Sequence, residues 1–293
     1  MEPKKEEKDE ITEENSNSEE MKLVPKKAKL KLLKVSIWRV FAYFIIYSII
    51  GYVLETLFGL VTKGVIESRK SFLYGPFCAI YGVGAAVMII FLKHFDKNKK
   101  SLFIGGVIVG TVTEYLVSLF GEIMLQVKWW DYSNLPLNIN GRVCLLFSVI
   151  WGILALVLML IVNPFIDKQL DWLKNRFTAK VGRTVLGTAI SLIAIDWLIS
   201  TIAVGLFLTR MVAQNNLNVE NKELLMKVYD FAYSNEIISN ITYKHFGDER
   251  LIKNFPDLKT TDVNGNIIFF KDLLPDIQPY YFRVFNKSVE THE

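Results

Sequence analysis

An all-α membrane fold, a five-span transmembrane bundle with a small mixed extracytoplasmic C-terminal tail, is predicted by three observations. Five stretches of the chain are apolar over about the 20 residues that a helix needs to cross the hydrocarbon. Nearly all the charge lies in the two ends and the connections between those stretches. Basic residues in the connections alternate between rich and poor along the chain, as cytoplasmic and external loops do. The averages alone would not decide it. Of 293 residues, 51% are hydrophobic and 22% charged, with a mean hydropathy of +0.28, only slightly beyond the roughly 45–50% apolar and 25% charged of soluble domains. The distribution excludes a soluble enzyme and a disordered protein, and two cysteines, Cys78 and Cys144, exclude a disulfide scaffold.

Residues 1–36 open with Glu2, Glu6, Glu7, Asp9, Glu10, Glu13, Glu14, Glu19 and Glu20, the signature of a solvated, disordered tail. Lys22, Lys26, Lys27, Lys29, Lys31, Lys34 and Arg39 follow without an acid, and a polybasic run against a membrane segment reads as cytoplasmic. The first apolar run starts too late and is too long for a signal peptide. Residues 37–208 form the membrane domain, with spans at about 37–61, 76–93, 101–126, 143–163 and 184–208. The second is the shortest and is rich in small residues (Gly82, Gly84, Ala85, Ala86), and the third carries Gly106 and Gly110 in small-xxx-small spacing. Spans two and three are therefore the expected close-packing helices.

The N-terminal flank, the 94–100 connection (Lys93, Lys97, Lys99, Lys100) and the 164–183 connection (Lys168, Lys174, Arg176, Lys180, Arg183) are basic. The alternate side has only Lys63, Arg69 and Lys70, then Lys128 and Arg142, then Arg210 and Lys222. This places the N-terminus in the cytoplasm of a plasma-membrane protein and residues 209–293 outside. In that tail, 219–246 reads as an amphipathic helix with Leu224, Leu225, Val228, Phe231 and Ala232 at helical spacing. Asn264-Gly265 between Thr260–Val263 and Ile267–Phe270 is a hairpin signal.

Chemistry is sought where polar groups meet the spans. Glu55, Glu114, Glu122 and Asp196 lie within them, and Arg142 opens the fourth. A charge at the bilayer centre costs about 2.5–3.5 kcal/mol on insertion scales, so such groups face the bundle interior and find partners. Eight residues at 100° each turn Glu122 only about 80° from Glu114, so the two point broadly the same way. Arg142 is expected to pair with at least one of the carboxylates near its depth, Glu55 or Glu122. Glu55, Glu114, Glu122 and Arg142 are thus the candidate lining of a solute or ion pathway, with a structural ion pair as the alternative. Asp196 is isolated and reads as a helix contact. Two loops, 69–82 and 129–142, mix aromatics, turn formers and hydrogen-bonding groups, and supply a candidate outer rim of Arg69, Tyr74, Asp131, Tyr132 and Asn138.

These loops carry a resemblance. The Leu73-Tyr74-Gly75-Pro76…Tyr81-Gly82 block and the Trp130-Asp131-Tyr132-Ser133-Asn134…Asn138…Gly141-Arg142-Val143-Cys144-Leu145 block, with Glu55 and Glu114-Tyr115, resemble the CmpB family of bacterial integral membrane proteins, the ABC-transporter type IV class. The resemblance covers about residues 43–165 and fades across the last span, although Asn254-Phe255-Pro256 and Asn264-Gly265-Asn266 also look family-like. Ala79 stands where the family often has proline, so a less kinked start to span two is expected. The resemblance implies a permease-like role and a separate ATPase subunit; it supplies no substrate and no catalytic residues.

The sequence has no G-x-x-x-x-G-K-[ST] phosphate loop, no H-E-x-x-H and no G-x-S-x-G elbow. The expectation is a transport protein rather than an enzyme, without cofactor, metal or nucleic-acid partner. It would be a membrane subunit that binds a small solute or ion in an outward-facing polar cavity. The alternative is a non-transporting sensor or assembly factor whose outer loops and C-terminal tail bind an envelope protein.

Overall fold

A computed structural model describes residues 35–93 and 98–285. The acidic-then-basic stretch, apart from its last two residues, and His94–Lys97 lie outside the described residues. From Ser36 onward the chain forms one compact unit. Helix α1 spans Ile37–Lys63 and ends at Gly64. The two-residue strand β1, Val65–Ile66, follows, then a non-helical segment, then α2, Ala79–Leu92. Helix α3, Lys99–Leu125, starts at Asn98, whose side chain accepts the Lys100 and Ser101 N–H groups, which satisfies otherwise orphaned donors. Helix α4, Leu145–Val157, runs through a π-helical turn, Leu158–Val162, directly into α5, Asn163–Arg176. Helix α6, Ala179–Asn215, is the longest.

The all-α membrane bundle is therefore present. Four helical runs, Ile37–Lys63, Lys99–Leu125, Leu145–Arg176 and Ala179–Asn215, are long and apolar enough to cross a bilayer. The fifth apolar helix, α2, has 14 residues, about 21 Å at 1.5 Å per residue, short of the roughly 30 Å of hydrocarbon. The chain passes from α1 to α3 through β1, the non-helical residues and α2. The 164–183 connection is not a loop either: α5 carries the fourth span onward, and α6 begins at Ala179.

Close packing falls on the small residues of the second and third apolar segments, as their spacing indicates. A Cβ on Gly106 would lie 2.3 Å from the Ala155 Cβ of α4, and one on Gly82 would lie 2.1 Å from the Ser48 Oγ of α1. The small residues of α3 thus receive α4 and α2, and those of α2 receive α1 and Trp151 of α4. The Trp151 indole fills the groove over Gly84 and Gly110, where a side chain on either glycine would meet it.

The tail folds as more than a helix and a hairpin. The expected 219–246 helix is broken into α7 (Lys222–Ser234), α8 (Glu236–His245) and, beyond Gly247, α9 (Asp248–Asn254). The break falls at Asn235, whose side chain accepts the Ile238 N–H and restarts the helix. Of the expected apolar face only Ala232 is buried; Leu224 and Phe231 stay exposed. Strands β2 (Lys259–Thr261) and β3 (Ile267–Phe269) pair antiparallel around Asn264-Gly265, and β4 (Phe282–Arg283) pairs with β1. The main apolar core joins Ala203, Val204, Phe207, Leu208 and Met211 of α6 to Leu251, Ile252, Phe255, Leu258 and Phe270. The tail is therefore packed onto the membrane domain, while the first half of α6 is largely exposed.

Candidate functional site

Glu114 lies within α3, about three turns before its end, and is 5% exposed. Both carboxylate oxygens are occupied: the Tyr132 hydroxyl donates to Oε1 at 3.0 Å and the Trp151 indole N–H to Oε2 at 3.0 Å. Trp151 comes from α4. Tyr132 comes from the 129–143 loop, which reaches back into the bundle and stacks its ring on Phe147 at 4.5 Å. Glu55, on α1, accepts from the Tyr81 hydroxyl of α2 at 2.6 Å, and the Tyr81 ring lies 5.9 Å from that of Trp151. Two half-buried or buried carboxylates are thus linked through Tyr81, Trp151 and Tyr132, with one contributor from each of four helices and a loop. The site is enclosed rather than open: aromatic side chains cover Glu114 on the side facing the loop.

Glu122 and Arg142 form a separate centre nearer the bundle end. Arg142 Nη2 donates to Glu122 Oε2, Lys128 Nζ stands 3.7 Å from Glu122 Oε1, and the guanidinium lies over the Tyr115 ring at 5.7 Å. Arg142 thus takes Glu122 rather than Glu55. The rim residues divide. Asn138 holds its own loop, donating to the Ser133 and Leu135 carbonyls and accepting the Gly141 N–H. Asp131 accepts from the Ser133 hydroxyl, and the left-handed Gly141 (φ +65°) leaves room for its carboxylate. Tyr74 is 49% exposed under the Arg250 guanidinium. Arg69 is drawn away into an ion cluster with Glu67 and Asp257.

Asp196 has a backbone role. Both its oxygens accept the Tyr74 N–H, at 3.2 and 3.1 Å, and it accepts the Ser200 hydroxyl, whose oxygen in turn takes the Leu73 N–H at 2.8 Å. These bonds satisfy a non-helical stretch of chain within the bundle, where water cannot. The Ala79 N–H donates to Ser71 Oγ at 2.8 Å, a bond that a proline there could not make. Cys78 and Cys144 are buried free thiols.

Three groups were not singled out from the sequence. Asp257 meets Lys63, Arg69 and Lys271. Burial pushes its carboxyl up, but the Lys63, Arg69 and Lys271 cations outweigh burial and hold it below its usual value. Arg210, fully buried, donates to Asp248, to the Tyr233 hydroxyl at 2.8 Å and to the Phe246 carbonyl at 3.0 Å. At the opposite end of the bundle Tyr43 and Arg39 bond Asp167, Arg39 also reaches Asp171, and Tyr47 donates to Asn163 at 3.1 Å. A signal existed for this last group: Arg39, Tyr43 and Tyr47 share one face of α1, and Asn163, Asp167 and Asp171 one face of α5.

The sequence blocks that build the enclosed site, Glu55, Leu73–Gly82, Glu114 and Trp130–Leu145, all fall inside one family match. The family is described as "putative ABC-transporter type IV", and it matches residues 42–201, more than half of the chain and further into α6 than the resemblance in the motifs reaches. No curated protein and no solved structure matches the chain. The chain is a membrane protein of the CmpB family.

Proposed function

We propose that the chain is the permease-like membrane subunit of an ABC-type transporter, and that Glu55 and Glu114 carry a small polar solute or ion between the helices. The observation that supports this is the linked pair of carboxylates, one on α1 and one on α3, whose donors come from two further helices and one loop. A rearrangement of those helices exchanges donors and opens the acceptors to a ligand, which a purely structural pair on two neighbouring helices does not do. Glu122 and Arg142 close the end of that pathway, with Tyr132 as the side chain that covers Glu114. The subunit works with a separate ATPase, in a plasma membrane, with the N-terminus cytoplasmic and residues 209–293 outside; the basic flanks of α1, α3 and α5 support that orientation. In this reading the chain is not itself an enzyme.

The test is purification from native membrane with identification of bound chains and small molecules, followed by the same with Glu114→Gln. An ATPase subunit and a small solute or ion should co-purify, and the variant should lose the solute while keeping the ATPase. Retention of the solute by Glu114→Gln, or the absence of any ATPase, overturns the reading. One observation favours a second reading. Glu114 is 5% exposed with both oxygens taken, which suits a closed bundle that senses or assembles rather than transports. That reading requires an envelope protein bound through 209–293 in the same purification and no solute.

A further inference from the structure

Several cations on the side of the bundle that bears the tail are ion-paired. Lys63 and Arg69 meet Glu67 and Asp257, Arg142 and Lys128 meet Glu122, Arg210 meets Asp248, and Lys253 meets Glu249. Lys70 and Arg250 are among those that are not. The Lys70 amine has a neutral partner, Asn254 Oδ1 at 3.2 Å. Arg250 Nη1 donates to the His245 carbonyl at 2.9 Å, and its guanidinium lies over the Tyr74 ring at 5.1 Å. Neither makes an ion pair with a carboxylate among the described residues. The two are close enough to oppose one another: after burial, the charge of Arg250 is the next cause that lowers the Lys70 pKa.

Their surroundings are set by α6. The segment carrying Lys70 and Tyr74 is hung on Asp196 and Ser200 of α6, and the helix carrying Arg250 packs its Leu251 and Ile252 in one cluster with Ala203, Val204 and Phe207 of α6. Along this stretch the outer face of α6 exposes Ile195, Leu198 and Ile202, each more than half. Two cations, of which Lys70 feels the Asp196 carboxylate but only without an ion pair, and a half-exposed tyrosine therefore stand beside an apolar strip, and tyrosine and basic side chains together favour a headgroup. A guanidinium fork with an ammonium beside it matches phosphate oxygens in geometry and charge.

We propose that Lys70 and Arg250, with Tyr74 beneath the guanidinium and Asn254 beside the amine, form a binding site for a phosphate-ester anion at the bilayer edge. The anion is the headgroup of an anionic phospholipid, whose acyl chains lie along Ile195, Leu198 and Ile202, or a soluble phosphate. The site is independent of the carboxylate pathway, and it stands or falls without it.

The test uses the full chain in nanodiscs. In the first arm, discs of phosphatidylcholine doped with phosphatidylglycerol are used, and the phosphatidylglycerol retained by the protein is counted by native mass spectrometry. In the second, discs of phosphatidylcholine alone are titrated with radiolabelled inorganic phosphate. Lys70→Gln or Arg250→Gln should weaken binding about fivefold each and the double variant about thirtyfold, the worth of a basic side chain at a membrane surface. Lys253→Gln, on the same helix but paired with Glu249, should change nothing. Lys70→Arg with Arg250→Lys keeps both charges and should keep binding, which separates lost charge from lost folding. Loss confined to the first arm assigns the site to lipid; loss confined to the second assigns it to soluble phosphate. Binding that survives the double variant in both arms, or falls equally with Lys253→Gln, overturns the proposal.

Discussion

Glu114 and Asp196 are both carboxylates inside the bundle, 5% and 7% exposed, and they are held in opposite ways. Around Glu114 the donors are side chains, Tyr132 and Trp151, brought by a loop and by α4. Around Asp196 the donors are the Tyr74 backbone N–H and the Ser200 hydroxyl, and Ser200 takes the Leu73 N–H. Side-chain donors can rotate away and be replaced by a ligand or by one another. A backbone N–H in a non-helical segment cannot leave without unfolding the segment, because the bilayer offers it nothing else. One buried carboxylate is thus suited to change partners, and the other to fix the chain.

The largest effect should come from breaking the fixed member. Asp196→Ala leaves the Tyr74 N–H without an acceptor, at about 3 kcal/mol for an orphaned buried donor. Thermal unfolding in detergent should fall accordingly, and Asp196→Asn, which keeps one oxygen, should recover much of the loss. Equal melting of Asp196→Ala and the unaltered chain would erase the contrast. Next comes Glu114→Gln, which keeps an acceptor for one donor and should cost only about 1 kcal/mol while abolishing solute retention. A large stability loss with function intact would make Glu114 a second Asp196.

The attachment of the tail gives a pH test on the tail side of the bundle. The Asp257 carboxyl is held low by Lys63, Arg69 and Lys271 against the effect of burial. A depressed folded pKa contributes stability above the unfolded value and loses it as pH falls through the folded one, so the loss belongs below about pH 4. Proteolysis of residues 216–285 should rise in that window, and Asp257→Asn should remove that part of the pH dependence and expose the tail at neutral pH as well. The smallest effect is expected at Glu122 and Arg142, whose side chains are 28% and 14% exposed. Glu122→Arg or Arg142→Glu alone should cost roughly 1 kcal/mol, the upper range for a partly screened pair. The double swap should restore most of it; a swap that rescues nothing denies the pair any energetic role.

The helices themselves were legible because a bilayer admits so few solutions. Apolar runs at 37–61, 101–126 and 143–163 correspond to α1, α3 and α4 with its π-helical turn, differing by a few residues at their ends. The Asn264-Gly265 hairpin was legible for a local reason: Gly265 sits at φ +87°, and the Asp262 carboxylate accepts the Asn264 and Asn266 N–H groups around it. Less legible was the tail, where Leu224 and Phe231 keep helical spacing but remain exposed while α6 is covered by Leu251, Ile252 and Phe270 instead. Helical periodicity says that a face exists, not which partner will take it.

The candidate site shows the same division. Its carboxylates, Glu55, Glu114 and Glu122, and Arg142 stood out because charge inside a span is costly. Their donors Tyr81 and Trp151 did not, since aromatic residues are ordinary in membrane helices, and neither did Asp257, which lies far along the chain from Lys63 and Arg69. By itself the sequence determined that lipid surrounds the middle of this chain and that a handful of acids had to be sheltered there. Which acid meets which donor was decided by the tertiary structure. Trp151 of α4 lies in the groove left by Gly84 and Gly110, and from there its indole N–H reaches Glu114 of α3.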